Sequence, residues 1–168
     1  AKAGQSLESD LELLRGGARV IASVAPSFVS GFGLDDFAPM RAALKKLGFS
    51  DAFETAEGAK AVSEEYLKIL DTRRYKNFIT SACPAVNRMI RLYYPSALRF
   101  LAPVVSPMTA HAMLIKKRHP DCKIVFICPC IAKKREAKES GLIDGVLVFD
   151  DLAGMLKDAG IEFLKDEV

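Results

Sequence analysis

The stretch Lys123-Ile124-Val125-Phe126-Ile127, which runs directly into Cys128-Pro129-Cys130, decides the fold class of this chain. Near-continuous apolar character over five residues is typical of a strand that is buried on both faces, as in a parallel sheet. Four other short runs share this β-branched or aromatic character, and they are predicted as strands at 19–24, 51–54, 77–80 and 145–149. The chain is therefore predicted to contain a buried sheet.

Between these runs the apolar residues recur with the spacing of a helix. The predicted helices lie at 37–47, 58–72, 84–94, from Ser106 onward, and at 150–159. Gly48 and Gly160 end two of them, and a proline stands at the first helical position of two others. Strands that alternate with helices predict an α/β fold, with a mostly parallel β-sheet flanked by helices, and we expect residues 1–168 to form a single unit.

Composition excludes several classes of protein. The chain has 24 Lys and Arg against 21 Asp and Glu, and this net charge of +3 over 168 residues is too small for a dedicated nucleic-acid binder. No apolar run approaches the roughly 18 residues of a membrane span. Four cysteines are too few for a disulfide scaffold, so we expect a cytoplasmic, reducing environment. Because the first residue is Ala, we also expect a processed or excised chain.

Three of the four cysteines come shortly after predicted strands. Cys83 comes just after the run 77–80, and Cys128 and Cys130 come just after 123–127. Carboxyl ends of parallel strands meet at one edge of a sheet, where ligands bind in α/β proteins. Cys122 precedes its strand and should lie at the opposite edge. Cys83 and Cys130 are thus the candidate ligands of a metal or redox cofactor, with Cys128 beside them.

Other residues should border the same crevice. The segment Ala25-Pro26-Ser27 also follows a strand and offers main-chain amides and a hydroxyl to an anionic ligand. Lys133 and Glu136 follow Cys130 and lie on one side of a helix if that segment is helical. An alternative remains open, since cysteines at strand ends are often small buried hydrophobes. We interpret Lys116–Arg118 and Lys133–Arg135 as solvated helix ends rather than as phosphate sites.

The two histidines do not complete a zinc site. His111 and His119 lack ligand spacing to any cysteine, so an iron–sulfur site is favoured over zinc. We interpret His111 as a residue on a helix face and His119 as a loop residue. From composition and spacing alone, we predict only a thiolate-bound cofactor in an α/β crevice.

Four motifs in order resemble a known family. They are Thr80-Ser81-Ala82-Cys83-Pro84, Tyr93-Tyr94-Pro95, Ser106-Pro107 and Pro129-Cys130-Ile131-Ala132-Lys133-Lys134-Arg135-Glu136. The set closely resembles the catalytic domain of iron-only hydrogenases, and the resemblance extends over almost the whole chain.

The resemblance implies a cofactor and its ligands. The family's cofactor is a 4Fe-4S cluster joined to a two-iron unit that carries CO and cyanide. By the resemblance, Cys83 and Cys130 would ligate the cluster, and Lys133 would bind one cyanide. The segment Ala25-Pro26-Ser27 would bind the other cyanide. Cys128 and Met108 would stand beside the two-iron unit, in place of a methionine and a glutamine, and Glu136 completes the fourth motif.

The proton relay of the family is degraded in this sequence. Ala82 stands where active members have a proton-transferring cysteine, and Ala102 stands in place of a serine. Lys68 replaces one of two relay glutamates, whereas Glu65 matches the other. Val86 replaces a tryptophan. Each proton transfer needs a donor and an acceptor within hydrogen-bonding reach, so these losses imply slow turnover.

The family's later Cys-rich motif and its ferredoxin-like domains have no counterpart in this sequence. We therefore expect a fragment that alone holds no cofactor and is inactive, from a parent that reacts with H2 and protons and exchanges electrons with a ferredoxin-like partner.

Three hypotheses for the parent follow. The first is a slow regulatory protein that senses H2 and is fused to a signalling domain. The second is an ordinary catalytic hydrogenase. The third is a hydrogenase-like iron–sulfur protein without hydrogenase activity, with an assembly or binding role.

Overall fold

The computed structural model describes residues 12–72 and 77–163. In these residues the strands form one sheet, with β1 at Val20–Val24, β2 at Asp51–Glu54, β3 at Lys123–Cys128 and β4 at Gly145–Val148. Their order across the sheet is β2-β1-β3-β4, and every pair is parallel. The predicted α/β fold with a parallel sheet is confirmed.

Helices connect and flank the strands. In chain order they are α1 (Phe28–Phe32), α2 (Phe37–Lys46), α3 (Ala56–Asp71), α4 (Pro84–Tyr93), α5 (Pro107–Arg118), α6 (Ala132–Ser140) and α7 (Phe149–Asp158), with a 3-10 helix at Pro95–Phe100 after α4. The predicted helices are present, with ends shifted by one or two residues. The sequence analysis missed α1 because five residues are too few to show a helical period. None of the described helices combines the length and the apolarity needed to cross a bilayer.

Both faces of the sheet are buried, which explains why its strands are apolar throughout. Val20, Ala22 and Val24 of β1 face one core with α1, α2 and α7, whereas Ile21 faces a second core built mainly from α5 and β3. All five residues of β1 are at most 2% exposed. A sheet covered on both sides in this way is typical of parallel topologies.

One predicted strand is wrong. Residues 77–80 lie outside the sheet, and Ile79 makes a single bridge to Leu101. The Ile79 amide donates to the carbonyl of Phe100, and its carbonyl accepts from the amide of Ala102. None of the four residues is buried. A place within the sheet would bury the polar ends of this run, Asn77 and Thr80, and that cost opposes it. Cys83 is therefore placed by the start of α4 and not by a strand end.

Helices α3 and α5 approach closely at Gly58. A β-carbon at this position would lie 2.7 Å from the amide nitrogen of His111 and would also meet the carbonyl oxygen of Pro107. Glycine is the residue that lets the two helices pack at this distance. The contact fixes α5 against α3.

A buried polar network lies beneath this helix crossing. The Ser23 hydroxyl is 2.9 Å from the Thr55 hydroxyl and 2.7 Å from Nδ1 of His111. The three side chains are 2%, 4% and 0% exposed, and Nε2 of His111 has no partner among the described residues. Burial lowers the pKa of His111 to about 4, although the charge of Glu57 acts in the opposite direction. His111 lies on a helix face, as predicted, but that face is fully buried.

We expect Gly58→Ala to lower the free energy of unfolding by about 1–3 kcal/mol, because the added methyl group has no space between α3 and α5. Urea denaturation measures the change. Gly154→Ala in α7 is the matched control, since nothing lies within 4 Å of its β-carbon position. That variant should gain up to about 1 kcal/mol from helix propensity. A Gly58→Ala protein as stable as the native chain would contradict the close approach.

The second expectation concerns pH. The pKa of His111 is about 4 in the folded chain, against 6.5 when unfolded. The unfolded chain therefore binds the proton more readily, and stability is lost as pH falls from about 6.5 toward 4. The full effect is on the order of 3 kcal/mol. His111→Gln should flatten this part of the pH profile in denaturation measurements at pH 7, 6 and 5. An identical slope in the variant would show that other groups carry the effect.

Candidate cofactor site

The two candidate ligands stand at the starts of two helices. Cys83 is the N-cap of α4 with an extended backbone (φ −100°, ψ 111°), and Pro84 occupies the first helical position. Cys130 precedes α6, and its carbonyl accepts from the Lys133 amide at 3.2 Å. Both thiols are free and exposed. A helix N-terminus favours negative charge nearby, so both positions suit a thiolate.

Lys133 joins the two segments that carry these thiols. Its Nζ donates to the carbonyl of Ala82 at 3.2 Å and lies 2.7 Å from Oε2 of Glu136. The Lys133 and Glu136 side chains are 14% and 16% exposed. This contact confirms that Lys133 and Glu136 lie on one side of a helix. It also corrects our interpretation of Lys133–Arg135 as a solvated helix end, because Lys133 is largely buried and the triplet lies at the start of α6.

Glu136 extends the same set of contacts to a third helix. Its Oε1 accepts a hydrogen bond from the hydroxyl of Ser106, the N-cap of α5. The Ser106 hydroxyl also accepts from the Thr109 amide. The ion pair of Lys133 and Glu136 therefore ties together α6, the segment before α4 and the start of α5.

The loop after β1 borders the end of β3. The Ala25 amide donates to the carbonyl of Ile127 at 2.9 Å, so the loop begins beside the strand that leads to Cys128. Pro26 is exposed, and Ser27 is the half-buried N-cap of α1. The Ser27 side chain makes no capping hydrogen bond. Its hydroxyl is thus available to a ligand near the carboxyl ends of β1 and β3.

Cys128 differs from the two exposed cysteines. It is 2% exposed, and its Sγ donates to the carbonyl of Cys130 at 3.4 Å. Burial raises the pKa of the Cys128 thiol to about 11, so it stays neutral near pH 7. Met108, at 1% exposure, packs in the same apolar core. Both side chains therefore belong to the apolar core on this face of the sheet.

Cys122 lies away from this cluster, as predicted. It directly precedes β3, at the amino edge of the sheet, and is 1% exposed. Burial raises the pKa of its thiol. Cys122 is a small buried hydrophobe.

The positions assigned to the proton relay lie on α3, on α4 and in two segments outside the helices and strands. Ala82 is half-buried, and Ala102 is buried next to Ile79. Glu65 and Lys68 form an exposed ion pair on α3, with 2.6 Å between Oε1 and Nζ. Val86 is exposed on α4. Glu65 is therefore ion-paired with Lys68 on the surface of α3.

Sequence analysis missed two residues next to the site. Tyr66 of α3 and Asn87 of α4 both hydrogen-bond to Ser81, two residues before Cys83. Neither belongs to a spacing pattern that sequence alone makes visible.

The donor set fits part of an iron–sulfur cluster. Within residues 12–72 and 77–163 no three His, Cys, Asp or Glu side chains come together as a metal-ligating group. A four-iron cluster is held by four cysteine thiolates, and Cys83 with Cys130 would supply two of them. Their exposure leaves room for a bulky cofactor and for ligands from elsewhere.

Comparison with known proteins identifies the family. The family model described as the iron only hydrogenase large subunit, C-terminal domain, matches residues 18–168. Iron hydrogenase 1 of Clostridium pasteurianum is 35% identical over 167 aligned positions, which cover 88% of this chain and 29% of that protein. The periplasmic Fe hydrogenase large subunit of Nitratidesulfovibrio vulgaris is 35% identical over 147 positions, covering 75% of this chain and 35% of that protein.

A solved structure supports the same fold. An apo FeFe-hydrogenase variant from Chlamydomonas reinhardtii superposes with a TM-score of 0.70 at 24% identity, covering 94% of this chain and 48% of that one. The chain spans about a third of the length of the two curated relatives. It belongs to the iron-only hydrogenase family and corresponds to part of the C-terminal domain of the large subunit.

Proposed function

We propose that the longer protein containing this chain binds a 4Fe-4S cluster and a two-iron unit and reacts with H2, according to 2 H+ + 2 e− = H2. One observation carries the proposal. Two exposed thiols at helix N-termini, Cys83 and Cys130, are joined through the Lys133 side chain and the Ala82 carbonyl. The other two thiolates of the cluster would come from residues beyond this chain. The family membership supports the cofactor class.

The chain's own residues would hold the group by charge and hydrogen bonding. When bound, the cofactor supplies the redox chemistry and the site where H2 forms or splits. Cys83 and Cys130 would ligate its iron. The Lys133 ammonium would donate to an anionic ligand, with Glu136 fixing its direction. The amides and hydroxyl of Ala25-Pro26-Ser27 would bind a second anion. Cys128 and Met108 would close the pocket against water.

We further propose that the longer protein turns over H2 slowly and has a regulatory role. The methyl group of Ala82 can neither accept nor donate a proton. The same is true of Ala102, further along the relay. Lys68, in place of the second relay glutamate, forms an exposed ion pair with Glu65. A protein that binds H2 but moves protons slowly suits sensing, with a fused signalling domain as the proposed recipient of the signal.

One observation favours a second candidate function. The Lys133 ammonium has two partners within the chain itself, Glu136 and the carbonyl of Ala82. A hydrogenase-like iron–sulfur protein with no two-iron unit would keep this arrangement for stability alone. An ordinary catalytic hydrogenase is the third candidate. H2 turnover by the full-length protein at an ordinary rate would distinguish it from the other two.

Partners and location are also part of the proposal. A ferredoxin-like protein or domain would exchange electrons with the cluster. We keep the cytoplasm as the proposed location, although one relative is named a periplasmic enzyme.

We expect H2 evolution by the cofactor-loaded, full-length protein to be far below that of an ordinary family member. Ala82→Cys should recover part of the rate, since a thiol with an ordinary pKa near 8.5 exchanges protons close to neutral pH. Ala102→Ser with Lys68→Glu should add more than the sum of the single changes, because the groups act in series. The assay uses a chemical reductant at matched cofactor occupancy.

Ala85→Cys is the control for adding a thiol near the site, since it introduces the same group two residues past Cys83. It should leave the rate unchanged. An unmodified protein that already turns over at ordinary rates would overturn the sensing role and leave the catalytic hydrogenase.

The chain by itself should purify without a stable four-iron cluster, because it supplies two of the four thiolates. Iron and sulfide analysis after anaerobic purification, together with the absorption spectrum, measures this. Stoichiometric iron and sulfide in a monomer would contradict the shared ligand set. Size-exclusion chromatography of any iron-bound species separates that outcome from a dimer that pools cysteines from two copies.

A further inference from the structure

Ser81 makes four hydrogen bonds to other parts of the chain. Its amide donates to Oη of Tyr66 at 3.0 Å, and its carbonyl accepts from Nδ2 of Asn87 at 2.8 Å. Its hydroxyl donates to the carbonyl of Val104 and lies 3.3 Å from Oη of Tyr66. Ser81 is 7% exposed, so these bonds are largely shielded from water. Every polar group of the residue therefore has a partner elsewhere in the chain.

The groups that hold Ser81 come from fixed elements. Tyr66 lies on α3, and its ring packs against Phe78 with 5.7 Å between centroids. Asn87 lies in the first turn of α4, and its backbone amide donates to the carbonyl of Cys83 at 3.0 Å. On the other side of Ser81, the Ala82 carbonyl accepts from Lys133. The two peptide groups that precede Cys83 are therefore both fixed.

Packing of α4 against the rest of the chain would not by itself hold Cys83 in place. Ile90 is the one buried residue of that helix. Three of its other apolar side chains are exposed, Val86, Met89 and Leu92. Because so little of α4 is anchored in a core, the hydrogen bonds before its first residue decide where Cys83 lies. Small displacements of a ligand or of its hydrogen-bonding surroundings change the spectrum and potential of a metal centre.

We propose that Tyr66 and Asn87 are positioning residues for Cys83. Through Ser81 they fix the backbone that directs the thiol of Cys83 toward a cluster shared with Cys130. Neither side chain touches the cofactor in this role. The inference rests on the proposed function in one respect, since it takes an iron–sulfur cluster as the group that Cys83 binds.

The first part of the test uses the chain as it stands and needs no cofactor. In Asn87→Leu, amide hydrogen exchange at residues 81–83 should speed up by roughly three- to tenfold, as expected for loss of one hydrogen bond. Tyr66→Phe removes two hydrogen bonds and should speed up the exchange at least as much. Tyr93→Phe is the matched control, because that side chain is 73% exposed. It should exchange like the native chain. Unchanged exchange in both variants would overturn the proposal.

The second part uses the full-length protein loaded with iron and sulfide. Tyr66→Phe and Asn87→Leu should change the electron paramagnetic resonance spectrum and the midpoint potential of the cluster, whereas Tyr93→Phe should change neither. A native-like spectrum and potential in both variants, with the cluster bound, would overturn the positioning role alone. A native protein that takes up no cluster would overturn the proposed function, and the positioning role with it.

Discussion

The fold depends on burying both faces of a short parallel sheet. β1 lies between β2 and β3, and its side chains alternate between two apolar cores, so that neither face meets water. Apolar burial of this kind is the main favourable term in folding. It fixes the register of the strands and brings the loops that follow β1 and β3 to one edge. The candidate cofactor site lies at this edge of the sheet.

Polar contacts then attach the rest of the site to this frame. The ion pair of Lys133 and Glu136 connects α6 with Ala82 and with Ser106, at the starts of α4 and α5. Further hydrogen bonds, from the Lys133 ammonium to the Ala82 carbonyl and from Ser106 to Glu136, help to offset the cost of partly burying this pair. The segment around Cys83 depends on these bonds because α4 buries a single residue. The site thus combines a rigid sheet edge with a helix that hydrogen bonds hold in place.

The cysteines near the site differ in their exposure. Cys83 and Cys130 are exposed at helix starts, whereas Cys128 is buried. Burial raises the pKa of the Cys128 thiol, so this thiol stays neutral near pH 7. The exposed sulfurs are open to a ligand, and the buried one packs in the apolar core.

The sequence determined the fold class, most of the helices and the family. Apolar runs such as 123–127 indicate burial on both faces, and Cys83-Pro84 marks a helix start because proline favours the first helical position. Only the tertiary structure decided that 77–80 leaves the sheet, that His111 joins Ser23 and Thr55 in a buried network, and that Tyr66 and Asn87 meet at Ser81. These outcomes depend on contacts between residues far apart in the chain, and a short polar or aromatic side chain carries no local pattern that names its distant partner.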